Sequence, residues 1–415
     1  MASIGFVSPR CLSAVVTFAC VSLATAAGLP APACADELTI PPQFVWFGTY
    51  TGGPAKSAGI YVSRYDTATG KISVPEIAAE TKNPSFLALH PKLPVLYAVS
   101  EVADADGKPT GAIIAFAIDE QSGRLTKKNH QPCGGGGPCH LSVDRTGRVV
   151  LSANYGGGSV LCLSLGPDGS LKPVVTGTPG GFIQHEGQGI NPQRQEKPHG
   201  HSIYPSPDGR FALACDLGID KVLVHALDVD KATLAPYGFG ATKPGAGPRH
   251  FALHPNGRFG YSVNELDLTV TGFSFDEETG TLTPFQTLST LPADVTDTKG
   301  ISTAEIVVHP TGKFAYASNR GHHSIAMYAV DDSNGQLTFL GVEPIRGKTP
   351  RNFVLDPSGK FLLAGGQDSD TVTVFAIDPA TGKLAHTGQS LDVPAPVCIR
   401  FRPASAPSPT TEPRR

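Results

Sequence analysis

The sequence predicts an all-β fold, a seven-bladed β-propeller with four strands per blade and a ring closed by pairing of the N- and C-terminal strands. Three observations predict it. One unit of apolar strand, turn and apolar strand recurs six times, and a second strand–turn–strand unit recurs seven times between its copies. The half-units left at the two ends complement each other. Repeats of roughly 50 residues built from four strands mark a propeller.

The first unit reads LALHPKLPVLYAVSE from Leu87, LSVDRTGRVVLSANY from Leu141, SIYPSPDGRFALACDL from Ser202, FALHPNGRFGYSVNEL from Phe251, IVVHPTGKFAYASNRG from Ile306 and FVLDPSGKFLLAGGQD from Phe353. Apolar runs flank a Pro-x-Gly type of turn, in which Pro fixes φ and Gly supplies a positive φ. The second unit starts at Tyr65, Ile118, Leu165, Leu227, Phe275, Val330 and Ile377, with a short turn rich in Asp and, in all but the Leu227 copy, Gly. The seventh first-type hairpin is divided. FVWFGTYT from Phe44 matches its second strand and VCIRFRP from Val397 its first. Pairing them closes the ring and removes exposed strand edges. Trp46 is the sole tryptophan and no Trp-Asp dipeptide occurs, which excludes a WD40 repeat.

Composition agrees. Of 415 residues 40% are hydrophobic, enough for a large core, and 47 Gly with 37 Pro supply many turns. The net charge of −3, with only 17% charged residues, gives no basic surface for nucleic acid or an anionic membrane. Arg10 is the only charged side chain before Asp36, an apolar stretch runs from Cys11 to Leu29, and Ala33-Cys34-Ala35 fits a small-x-small cleavage site. Residues 1–35 are therefore expected to be a signal peptide, giving a periplasmic or secreted protein with no membrane attachment after cleavage. The propeller is expected over 36–402, a disordered Pro/Ser/Thr-rich tail over 403–415, and the chain is expected to be a monomer. Cys133, Cys139, Cys162, Cys215 and Cys398 remain after cleavage. Cys133 and Cys139 bracket a Gly-rich loop; a small disulfide and two free thiols both stay open. A metal reading of the pair is weaker, because no second Cys pair follows.

Within a blade the innermost strand runs one way and the second returns. The start of the first and the end of the second therefore share one face, and the Pro-x-Gly turn lies on the other. His90, His254 and His309 precede Pro in that turn and are read as turn residues. The opposite face collects His140, His199, His201, Arg249, His250, Glu305, Arg351 and Asn352 at strand starts. It collects Glu101, Asn154, Asp216, Asn264, Glu265, Asn319, Arg320, Gln367 and Asp368 at strand ends. These do not repeat from blade to blade, and such a mouth of imidazole, guanidinium and carboxylate groups is the default site. Several arginines favour an anionic ligand, and His with Glu supplies acid–base groups. No Gly-x-Ser-x-Gly elbow, His-Glu-x-x-His motif, P-loop or dinucleotide fingerprint is present. The polar stretch from Thr178 to Pro198 interrupts the repeat, shows no strand pattern, and is expected to be a rim loop.

KPHGHS from Lys197, PDGRF from Pro207, DLG from Asp216, GPRHF from Gly247, HPNGR from His254, NEL from Asn264, STAEI from Ser302, SNRG from Ser318, TPRNF from Thr349 and GTYT from Gly48 together resemble the β-propeller 6-phosphogluconolactonase (cycloisomerase 2) family. The resemblance spans about residues 44–402. It implies a seven-bladed fold and cofactor-free, metal-free hydrolysis of an anionic lactone, 6-phospho-D-glucono-1,5-lactone, in the pentose phosphate route. It also extends to fungal carboxy-muconate cycloisomerases, which form lactones with His, Arg and Glu. By position it implies His201, Arg249, Glu265 and Arg320 as catalytic residues. The roles expected are His201 or Glu265 as base, Arg249 as carbonyl polariser, and Arg320 or Arg351 as anion clamp. His140, Asn154, His199, His250, Glu305, Arg351 and Gln367 are expected to contact substrate. Ser100 stands where the family pattern has Asn, and the export signal points away from cytoplasmic sugar phosphates toward another aldonolactone or cyclic ester. Three other classes stay open: a calcium lactonase using Asn154, Asn264, Glu265 and Asn319, a non-enzymatic secreted binding module, and a cycloisomerase acting on an aromatic breakdown product.

Overall fold

A computed structural model describes residues 43–54, 56–102 and 110–403. The expected signal peptide and all but the first residue of the expected tail lie outside the described residues. Seven antiparallel sheets of four strands each make up the fold. In chain order the innermost strands are Leu87–Leu89, Pro138–Val143, Gly200–Pro205, Pro248–Leu253, Ser302–Val308, Pro350–Leu355 and Pro396–Pro403, and we number blades 1 to 7 accordingly. Each innermost strand packs against the next one round the ring, and that of blade 7 meets that of blade 1. Blade 7 is the divided one. Pro396–Pro403 pairs antiparallel with Gln43–Thr49, with Val45 opposite Phe401 and Phe47 opposite Ile399. Pro403 thus belongs to the closing strand rather than to the expected tail. The described residues contain no α-helix, only the one-turn 3-10 segments Leu217–Ile219 and Gln367–Ser369, and no helix among them is long and apolar enough to cross a membrane.

Burial follows position in the blade. Second strands such as Val149–Asn154 and Phe211–Asp216 are buried along their whole length, which explains their continuous apolar runs. Outermost strands such as Leu125–Pro132 are largely exposed. The repeated turn residues hold the blades together. His90, His254 and His309 each place Nε2 against a turn-glycine carbonyl of the next blade, at 3.0, 2.9 and 2.8 Å (Gly147, Gly312 and Gly359). In the second turn, Asp119, Asp331 and Asp378 accept bonds from backbone N–H groups two residues on. The glycines that close three of these turns, at φ 74°, 73° and 69° (Gly123, Gly335, Gly382), present carbonyls to Trp46, Tyr261 and Tyr316 of the preceding blade.

Blade 2 departs from expectation. Its outermost strand is Phe182–Gln184, inside the stretch expected to be strandless, and it pairs with Ser159–Leu161. Three residues carry no readable period, yet they cover an edge that would otherwise be open. All five described cysteines are free. Cys133 follows the outermost strand of blade 1 and faces the Gly135 carbonyl at 3.1 Å. Cys139 lies in the innermost strand of blade 2 with Sγ 3.3 Å from the His201 carbonyl. The two sulfurs occupy different surroundings, and no disulfide joins them.

Candidate active site

A register shift repeats at the mouth. In blades 2, 3, 4 and 6 the innermost strand skips one residue against its neighbour; the skipped residues are Cys139, His201, Arg249 and Arg351. In blade 5 the irregularity covers Ala304 and Glu305. A β-bulge bends the strand and re-aims its extra side chain. Cys139, Arg249 and Arg351 are thereby brought to line one recess with Tyr50, Ser85, Phe86, Glu101, His250 and Val397. Its enclosed part has about 10 Å³ of free volume, on the scale of a single water.

Next to this recess, Glu265 is clasped by three guanidiniums. Arg194 Nη2 donates to Oε1 at 2.6 Å, Arg249 Nε donates to Oε2 at 3.0 Å, and Arg320 Nη2 lies 2.9 Å from Oε2. Burial would push this carboxyl up, but the charges of Arg320, Arg249 and Arg194 outweigh burial and hold it at about 2. The arginines are tied to backbone as well. Arg249 Nη1 donates to the Ala304 carbonyl at 2.6 Å and Arg320 Nη2 to Thr303 at 2.8 Å, while Arg320 Nε is buried without a partner among the described residues. Burial, then the neighbouring arginines, lower Arg320 to about 10 despite Glu265. Arg351 stacks over the Tyr50 ring at 5.3 Å. The Tyr50 hydroxyl donates to Glu101 Oε2 at 2.9 Å, and the Ser85 hydroxyl bonds the same oxygen.

Beside the arginines lies a cluster of imidazoles. His250 sits 5.3 Å from both His140 and His201, centroid to centroid, and Phe86 and Tyr204 pack on His140 at 4.3 and 4.6 Å. Burial first, then nearby cations, push all three histidines below the ordinary imidazole value, so they are neutral acceptors at neutral pH. His250 Nδ1 lies 2.8 Å from Glu305 Oε1, and Asn352 Nδ2 donates to Glu305 Oε2 at 2.5 Å. His201 Nδ1 lies 3.7 Å from the Cys139 sulfur.

The remaining expected residues divide. His199 stacks on Tyr155 at 4.5 Å and is held by the Tyr155 carbonyl and Glu196. Asn154 serves as a strut, its amide donating to the Cys133 carbonyl and Ser159, as Asn319 does to Thr290 and Ser324. Asn264 binds Thr269 and Thr271. The amide nitrogens are therefore engaged within the fold, while Asn154 Oδ1 and Asn319 Oδ1 are buried without partners among the described residues. Among the described residues no set of three or more His, Cys, Asp or Glu side chains is arranged to hold a metal. Gln367 opens the 3-10 turn of blade 6, its Nε2 on Asp368 and its Oε1 buried without a partner. Arg194, Tyr50 and Arg400 were not among the expected residues. Arg194 sits in the irregular stretch flagged as a rim loop. Tyr50 lies in the GTYT motif. Arg400, on the closing strand, covers the Phe86 ring at 4.5 Å.

Comparison with known proteins gives the same answer as the fold. The family model described as lactonase, 7-bladed beta-propeller, matches residues 44–401. A protein of Bacillus subtilis named 6-phosphogluconolactonase is 37% identical over 86% of this chain and 97% of its own length. One of the same name from Formosa agariphila is 34% identical over 71% and 81%. The solved structure of the Pseudomonas aeruginosa periplasmic gluconolactonase superposes with a TM-score of 0.79 at 34% identity, covering 88% of this chain and all of that one. The chain belongs to the seven-bladed β-propeller lactonase family.

Proposed function

We propose that the protein hydrolyses a sugar lactone at this funnel, with 6-phospho-D-glucono-1,5-lactone as the substrate the charge pattern favours. The observation that carries the proposal is the excess of guanidinium at the mouth. Arg194, Arg249, Arg320, Arg351 and Arg400 face three carboxylates, Glu265, Glu101 and Glu305, and Arg351 has no hydrogen-bond or ion-pair partner among the described residues. Two cations stand in excess, and an anionic substituent on the ligand would balance them. Arg249 is suited to polarise the lactone carbonyl and stabilise the oxyanion, and Arg351 to clamp the phosphate. Glu265 is too weak a base in its arginine clasp, so we assign it to holding the arginines in place. The proton acceptor is then an imidazole of the cluster beside them.

A second reading has its own support. The relative named periplasmic gluconolactonase, together with the leader-like N-terminus, favours an exported enzyme acting on the unphosphorylated lactone. A pH-stat assay of residues 36–415 on glucono-1,5-lactone and its 6-phosphate, with and without EDTA, separates the two. Acid release well above the spontaneous rate on the phosphate ester, unchanged by EDTA, is expected. Preference for the neutral lactone would move the assignment to the second reading. Acceleration of neither would overturn both. Unaltered turnover in His201→Ala and Arg249→Ala would remove those residues from the chemistry.

A further inference from the structure

The geometry points to His250, oriented by Glu305, as the group that takes the proton from the attacking water, with that water seated in the recess beside the arginines. This rests on the lactonase reading above and names a residue that neither the motif pattern nor the expected roles placed in the chemistry.

Glu305 is an ionised carboxylate, so it can only accept at His250 Nδ1. The 2.8 Å contact therefore fixes the tautomer: Nδ1 carries the proton and Nε2 the lone pair. That Nε2 is buried and has no partner among the described residues. A buried unpaired acceptor is costly unless a ligand or water satisfies it. His250 is one of the residues that line the recess, together with Arg249 and Arg351, and the recess has about 10 Å³ of free volume, the scale of one water; seating that water against Nε2 takes a small outward shift of the ring. Glu305 is itself fixed, by Asn352 Nδ2 at 2.5 Å and by the Ile306 N–H at 3.1 Å, and Asn352 Oδ1 accepts from the Ile399 N–H at 2.8 Å. A chain of four groups from three blades thus orients one imidazole. His201, the imidazole that the motif pattern favours, has no carboxylate bonded to it among the described residues.

The step balances without a co-reactant. The water oxygen attacks the lactone carbonyl carbon as one of its protons passes to His250 Nε2, and Arg249 meets the oxyanion. Collapse breaks the bond between carbonyl carbon and ring oxygen. The imidazolium returns its proton to that oxygen, leaving a hydroxyl and a carboxylic acid that ionises to solvent.

The charged and titratable groups facing His250 are Glu305 from blade 5, Arg249 beside it, Arg400 from blade 7, and His140 and His201 from blades 2 and 3. Glu305 is the group that favours protonation of His250, so Glu305→Gln should move the acid limb of kcat/KM to lower pH. The Gln amide also permits the wrong tautomer, and kcat should fall by about 10²-fold or more. His250→Gln should lower kcat by about 10²–10⁴-fold with KM little changed, and added imidazole should restore at least tenfold of the loss in His250→Gly. Each variant is checked for a native melting transition. The assays use glucono-1,5-lactone, its 6-phosphate and plain δ-valerolactone. Wild-type activity on δ-valerolactone alone would overturn the sugar reading while the His250 variants still test the base. Wild-type inactivity on all three overturns both. A folded His250→Gln variant within threefold of wild type, or an acid limb unmoved in Glu305→Gln with no rescue of His250→Gly, overturns the assignment of His250.

Discussion

Arg194 Nη2 lies 2.6 Å from Glu265 Oε1 across 71 positions of sequence. The contact joins the irregular insert after blade 2 to the end of a strand in blade 4. The insert is anchored first: Gln195 Nε2 donates to the Leu217 carbonyl at 2.9 Å and to Asp220 Oδ1 at 2.7 Å, and His185 Nδ1 donates to Asp216 Oδ2 at 2.6 Å. The segment expected to be a rim loop thus delivers a cation to the site.

Removing that cation tests its role. Arg194 has a side chain 41% exposed, so Arg194→Ala should fold normally. A charge-assisted bond of this exposure is worth about 1 kcal/mol. KM for a phosphorylated lactone should rise about three- to tenfold, with kcat changed less, in steady-state assays across a range of salt. An unchanged KM would confine Arg194 to holding the insert.

Glu265 makes the opposite prediction. Glu265→Gln leaves the buried Arg249 and the mostly buried Arg320 without their counter-charge. Breaking a buried ion cluster from one side costs about 3–5 kcal/mol, to be read by urea unfolding. Inorganic phosphate should then raise the midpoint more in the variant than in the wild type, because the uncompensated guanidiniums recruit an anion. Equal stabilisation of both proteins would contradict the hub role.

The propeller was legible because turn chemistry and apolar runs are local properties. Six hairpins, four of them with Pro-x-Gly, and seven Asp-containing turns, six of them with Gly, could be counted, and chain direction alone told which ends share the mouth. The convergence of side chains was not legible. Cys139, His201, Arg249 and Arg351 reach the funnel through a one-residue slip in register that no periodicity encodes. Asn154 shows the converse: it occupies a mouth position, yet its amide nitrogen is engaged by Cys133 and Ser159. The partner that makes His250 distinctive, Glu305, lies 55 residues away in another blade.

A buried histidine outside the site sets a pH prediction. Both ring nitrogens of His225 are buried without partners among the described residues, and the ring stacks on His185 at 5.4 Å. Burial, then the His185 charge, lowers it from 6.5 to about 3. The folded value is below the unfolded one, so the unfolded chain binds more protons under pH 6.5. This stability is complete above pH 6.5 and is lost as pH falls toward 3, at about 1.4 kcal/mol per pH unit. Urea midpoints between pH 6.5 and 5, above the window of Glu265, should fall less steeply in His225→Leu than in the wild type. Parallel slopes would refute the assignment.

The ring itself is tested by its stitches. Tyr97, Tyr261 and Tyr316 donate at 2.8, 2.8 and 2.9 Å to the Gly169, Gly335 and Gly382 carbonyls of the next blade. Each phenol is fully buried. Phe in its place keeps the ring packing but strands a carbonyl, at a cost of about 1–2 kcal/mol. The three pairs share no partner, so their costs should add within about 0.5 kcal/mol in the triple variant. If unfolding spreads from one weakened seam, the triple variant should instead lose the sharpness of its transition, seen as a lower urea m-value. A sharp transition with additive losses means that the seven blades unfold as one unit, and that these bonds couple each blade to the next.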